Sequence, residues 1–222
     1  IVFLIVLLVK NRQVVLVMTD QGTCYLLLPS PRNSLLPDLA HYLGLNITFK
    51  DNKDPHYLET FPLHRAPSFE SKDGFKLHEA MTILKYFISL RPVDCKYNFF
   101  GHSKREEAQV WQWVSFTNSD CIVALVDYLD KPMTPEGKKA AWKWSEQNAQ
   151  EFERQLERTP YLVGSEKTLA DIYGVQLFIW GFQVCWYKDW LAKYPAIEKW
   201  FRKIVDNDEI VSRTYKGFGP EK

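Results

Sequence analysis

The sequence predicts a small α/β domain, residues 18–92, followed through a linker at 93–104 by an all-helical domain, residues 105–222. Three observations carry that prediction. Short apolar runs bounded by turn residues occupy the chain up to Leu77. After the loop "RPVDCKYNFFGHSKRE" the strand signals stop. Beyond it, apolar residues recur at spacings of three and four as far as Val205, the period of helices with one buried face.

The first seventeen residues, "IVFLIVLLVKNRQVVLV", read as an extension outside the fold. The nine apolar residues Ile1 to Val9 are too few to span a bilayer, and neither an initiating methionine nor a basic n-region precedes them. Met18 is the natural start. From Thr23 the chain reads as a buried strand ("TCYLLL"), a turn ("PSPRNS"), a helix ending near "LAHYLGL" and a second strand "NITF", a β-α-β unit. Pro37 belongs either to the first turn of that helix or to a kink in it. A polar connection, "KDNKDPHYLETFPLH", leads to "PSFE" and "FKL", which flank a tight Lys72-Asp73-Gly74 turn of hairpin type. Helix follows from Glu79.

In the second half, Glu106 to about Leu129 places Val110, Trp113 and Val114, then Thr117, Cys121 and Ala124, on one side of a long helix. Glu136 to Arg158 carries a narrow seam of Ala141, Ser145, Asn148, Phe152 and Leu156. Leu169 to Val184 is apolar almost all round, the profile of a central buried helix. Thr168 and Asp171 stand in the T-x-x-D relation of a structural capping box at its start, where unsatisfied amides are costly because water cannot reach them. From Pro195, Ile197, Trp200, Phe201, Ile204 and Val205 share one face, with proline in the first turn.

Composition narrows the function classes. With 28 basic against 27 acidic residues and no block of like charge, the field a nucleic-acid or anionic-membrane binder uses is missing. Eight tryptophans, eleven tyrosines and fourteen phenylalanines indicate a core built on large rings. Cys24, Cys95, Cys121 and Cys185 are widely spaced, without a C-x-x-C pair or a histidine cluster, so no metal or dithiol site is expected and a reduced cytoplasmic protein is.

Four stretches, "LHRAPSF", "LHEAMTI", "TLADIYG" and "YPAIEKWF", together resemble the cytosolic glutathione transferase superfamily. The resemblance implies a thioredoxin-like N-terminal domain followed by an all-α transferase C-terminal domain. Within the superfamily, "FPLHRAPSFESKDGFKLHEAM", "QWVSFTNSD" and "YPAIEKWFRKIVDND" look most like the transferase-like N-terminal domain of the gamma subunit of eukaryotic translation elongation factor 1, of fungal type. In that subunit the domain is a docking module. The implied partners are subunits of the elongation factor 1 complex and a second copy of the chain. The implied ligand or co-substrate is glutathione, with no other cofactor. No lysine-rich linker or second domain follows before Lys222, which implies a free-standing paralogue or a fragment.

The resemblance also assigns site residues. Ser30 falls where serine-using transferases keep the hydroxyl that stabilises the glutathione thiolate; turn chemistry between two prolines is the alternative, with Ser34 as helix N-cap. His64 matches a histidine for the glycine carboxylate, and Arg65 adds charge; a solvated loop histidine is the alternative. Ala66, before a cis Pro67, would pair through its backbone with the cysteine of glutathione. Glu79 and Ala80 match the glutamate-serine pair that holds the γ-glutamyl end, with alanine losing the hydroxyl and leaving the helix amide as anion donor. Glu79 is otherwise a first-turn acid favourable to the helix dipole. Trp113, Phe116 and Thr117 are assigned to an electrophile pocket, with core packing as the alternative for the rings. Asp120 is placed toward a dimer partner's glutathione, or is an exposed helix acid. Two function classes follow: an interaction module linked to translation elongation with weak or no conjugation, and an active transferase for small apolar electrophiles. A synthetase-associated scaffold on the same fold is a third.

Overall fold

The computed structural model describes residues 9–10, 13–14, 21–130, 134–186 and 188–211. The first seventeen residues, and Met18, fall mostly outside that set. Within them, Val9–Lys10 (β1) pairs antiparallel with Gln13–Val14 (β2).

The N-terminal part is a four-stranded mixed sheet with helices. Its strands are Gly22–Leu26 (β3), Ile47–Asp51 (β4), Ser68–Ser71 (β5) and Lys76–His78 (β6), in the order β4-β3-β5-β6. β3 runs parallel to β4 and antiparallel to β5, and β5 turns antiparallel into β6. Cys24 sits opposite both Phe49 and Phe69, so the centre of the sheet is apolar on the face that meets the helices. β5 comes so close to β3 at Gly22 that a Cβ there would stand 2.2 Å from the Glu70 carbonyl oxygen. Only glycine fits that position, whose φ is +144°.

Helix α1, Leu35–Tyr42, connects β3 to β4, with Pro37 in its first turn, where the missing amide would have had no intrahelical partner. The stretch expected to be a polar connection instead contains a short helix, α2, Pro55–Thr60. Its local signal is present in the sequence: Asp54 accepts the His56 amide at the N-cap, and Pro55 opens the first turn. The turn after β5 follows the expected pattern, with Gly74 at φ +86°. Helix α3, Ala80–Ser89, closes the α/β part, and Glu79 precedes it as N-cap rather than entering it.

The rest is helical. The long helix expected over 106–129 is two helices, α4 (Lys104–Phe116) and α5 (Ile122–Asp130), joined by a π-helical turn, Thr117–Cys121. Then come α6 (Pro135–Leu156), α7 (Leu169–Val184), a four-residue α8 (Lys188–Leu191) and α9 (Pro195–Asn207). α7 is the axis of the core, with thirteen of its residues buried, and it packs against α1, α4 and α9. Its start bears out the capping box. Asp171, fully buried, takes the Thr168 amide at 2.8 Å and the Thr168 hydroxyl at 3.2 Å on one oxygen. The other oxygen takes the Leu162 amide and the Trp200 indole N–H, both at 2.9 Å, so the cap also fastens α9 and the preceding loop.

Candidate functional site

A cleft of about 520 Å³ opens where the sheet side meets the π turn of the helical side. Its α/β wall brings together His64, Arg65, Ala66, Pro67, Glu79 and Ala80, the residues assigned to glutathione from the sequence. Its opposite wall is Arg32 from the β3–α1 loop with Asn118, Ser119 and Val123.

Each position has a local cause. The Ala66-Pro67 peptide is cis, and Pro67 ends just before β5, so its missing donor falls outside the ladder. The Ser68 hydroxyl donates to the Arg65 carbonyl at 2.9 Å, fixing the turn from which the exposed Arg65 side chain extends. His64 and Glu79 both hold positive φ, +47° and +74°, a conformation that non-glycine residues seldom adopt and that is concentrated at functional sites. His64 departs from its expected role in one respect. Its Nε2 lies 2.9 Å from the Leu58 carbonyl, so that nitrogen donates to the protein's own backbone although the residue still borders the cleft. Ala80 is buried at the first position of α3, with Glu79 exposed beside it.

Arg32 and Asn118 are the residues that sequence reasoning missed. The Arg32 guanidinium donates to the Asn118 side-chain oxygen at 3.2 Å and to its carbonyl at 3.0 Å. The Tyr173 hydroxyl on α7 donates to the same Asn118 oxygen at 2.9 Å. One asparagine thus joins the loop after β3, the π turn and the central helix, and holds a cation at the cleft wall. A signal exists only in part: an arginine in a Pro-rich loop is visible, but its partner 86 residues away is not.

The π turn also explains a correction. Trp113, Phe116 and Thr117, assigned to an electrophile pocket, do not line the cleft. Trp113 and Phe116 pack on Phe152, with ring centroids 4.9 and 6.0 Å apart, and Thr117 is fully buried. A π turn takes more residues per turn than the α period, which turns the face that follows it, so Asn118 and Ser119 meet the cleft. Asp120 lies half-buried on the same turn.

Ser30, the expected thiolate stabiliser, is half-buried and not among the cleft-lining residues. Its carbonyl accepts the amides of Asn33 and Ser34, each at 3.0 Å, and the Ser34 hydroxyl at 2.7 Å. Ser34 occupies the N-cap position of α1, yet its hydroxyl is spent on Ser30 and makes no cap bond. Among the described residues no group of three or more potential metal-ligating side chains occurs, and no helix is long and apolar enough to cross a membrane.

A mixed four-stranded sheet with a cis-proline-bordered cleft, joined to a helical domain around a capped central helix, defines the two-part transferase class. Comparison with known proteins agrees. The family model for the glutathione S-transferase N-terminal domain matches residues 39–89, and that for the C-terminal domain matches 111–208. Elongation factor 1-gamma of Schizosaccharomyces pombe is 31% identical over 85% of this chain and 48% of that protein. A glutathione S-transferase of Emericella nidulans is 29% identical over 83% of this chain and 72% of its own. The crystal structure of the GST-like domain of elongation factor 1-gamma from Saccharomyces cerevisiae superposes with a TM-score of 0.78 at 26% identity, covering 91% of this chain and 97% of that one. The chain belongs to the glutathione S-transferase family.

Proposed function

We propose that the chain is a transferase-like protein of the elongation factor 1-gamma type, a cytoplasmic, homodimeric interaction module in translation elongation that retains glutathione but conjugates it weakly or not at all. The observation that carries this reading is the composition of the cleft. Arg32 and Arg65 present two cations, and the start of α3 adds backbone donors, a set suited to a small peptide with carboxylates at both ends. The groups that would raise reactivity are weaker: alanine stands at position 80, and Ser30 is not among the residues that line the cleft. The likeness to elongation factor 1-gamma, in sequence and in fold, supports the choice of type.

The test is affinity purification from native extract at physiological salt. The reading expects elongation factor 1 subunits in stoichiometric amount; their absence contradicts it. The second reading, an active transferase, is supported by Ser30 in the loop between β3 and α1 and by the relatives that carry the transferase name. Conjugation of 1-chloro-2,4-dinitrobenzene separates the two. An active enzyme shows turnover that Ser30→Ala reduces at least tenfold, whereas the favoured reading expects a rate near background and indifferent to that substitution.

A further inference from the structure

His64 commits one of its two ring nitrogens to the protein itself. Its Nε2 lies 2.9 Å from the Leu58 carbonyl, and a carbonyl oxygen only accepts, so the single proton of a neutral ring sits on Nε2. Nδ1 is then a bare lone pair. It has no hydrogen-bonding partner among the described residues, and the exposed ring borders the cleft. The backbone holds the ring in place: the His64 amide donates to the Phe61 carbonyl at 2.9 Å, φ stands at +47°, and the ring lies beside that of Tyr57 with centroids 6.3 Å apart.

A carboxylate that reaches His64 therefore meets a different partner in each protonation state. Against the neutral ring it faces a lone pair, and moving the proton to Nδ1 would set a bare Nε2 against the Leu58 oxygen, two acceptors in contact. The imidazolium carries N–H on both nitrogens and bonds Leu58 and the carboxylate together. The other charged groups bordering the cleft are Arg65 beside His64, Arg32 on the opposite wall and Glu79 at the start of α3; from α2 the ring meets the Leu58 carbonyl and the Tyr57 ring. A proton on His64 adds a positive charge to walls that already hold two arginines, and an anionic ligand offsets it.

We propose that the cleft takes up a proton with its ligand: glutathione binds the protein with His64 protonated, Nδ1–H donating to one of its carboxylates. This rests on the reading of the cleft as a glutathione site. The sign follows from linkage, since the complex holds more protons than the free protein, so affinity is highest at low pH and falls as pH rises.

The test titrates S-methylglutathione, whose sulfur has no ionisable proton, into the full chain by calorimetry at pH 7 in two buffers of different ionisation heat, PIPES and imidazole. The wild type is expected to take up about half a proton per ligand, and its affinity to fall about threefold to fivefold between pH 6 and pH 7.5, the range in which histidine changes charge. His64→Asn suits the left-handed backbone and has no charge to gain, so it should bind without proton uptake and with an affinity that stays level over that range. In the wild type, the His64 ring Hε1 signal, identified by its loss in His64→Asn, should titrate at higher pH with saturating glutathione than without it. Binding without proton uptake, uptake that survives His64→Asn, or a His64 titration that glutathione leaves unmoved would overturn the proposal and leave the glutathione reading standing. Failure of both glutathione and its S-methyl form to bind at any pH would end that reading and this proposal with it.

Discussion

Cys24, Cys121 and Cys185 are buried, and burial pushes each thiol above its ordinary range, Cys185 up to about 12. They behave as small core residues rather than nucleophiles. Cys95 alone of the four is partly exposed. Titration of the native protein with a thiol reagent at pH 8 is expected to report one reactive thiol, and four after unfolding; two or more in the native state would contradict the buried placement. Asp171 ties the start of α7 to α9 and to the loop before it. Burial pushes its carboxyl up to about 6, while bonds from Leu162, Thr168 and Trp200 pull it down. A carboxyl raised above its unfolded value binds its proton more tightly when folded, so its contribution is greatest below about pH 4 and declines as pH rises through 6. Asp171→Ala, which removes the acceptor of four buried donors from three residues, is expected to cost about 3–5 kcal/mol at pH 7. Denaturant unfolding should show that cost growing as pH is lowered from 7 to 5, and a pH-independent difference would contradict the assignment.

At the scale of elements, α7 shows how closely the helical domain is packed at its C-terminal end. A Cβ on Gly181 would stand 2.2 Å from the Trp186 ring, and Trp186 stacks on Trp190 with ring centroids 4.2 Å apart. The absence of a side chain at Gly181 is what lets the chain double back after the helix. Gly181→Ala should therefore destabilise, although alanine is the better helix former, by about 1–3 kcal/mol in thermal or denaturant unfolding. A gain in stability would show that Trp186 does not pack there. The capping box, the all-apolar α7 and the amphipathic α9 were legible in the sequence because each is a local pattern, repeated within one or two turns. Helix α2 was equally local but was masked by its polar residues. The π turn was not legible: residues 117–121 continue the helical period, and the extra residue in the turn is set by packing on α6 and α7. The consequence was an electrophile pocket placed on Trp113, Phe116 and Thr117, one face away from the cleft.

At the scale of the whole molecule, the site exists only because two separately patterned halves meet. Arg65 to Pro67 and Glu79-Ala80 are local motifs, and the sequence places them together once the hairpin between them is recognised. Arg32, Asn118 and Tyr173 come from the loop after β3, the π turn and the central helix, and only the folded chain brings them to one point. This junction sets the charge facing the cleft. The account's central claim is that the cleft is a glutathione site weakened by Ala80 and held by its arginines, and calorimetric titration of glutathione tests it most directly. The wild type should bind at one site per chain, Arg65→Ala should weaken binding about tenfold, equivalent to about 1.4 kcal/mol, and Ala80→Ser should tighten it several-fold. No detectable binding by the wild type, or binding that neither substitution changes, would contradict it.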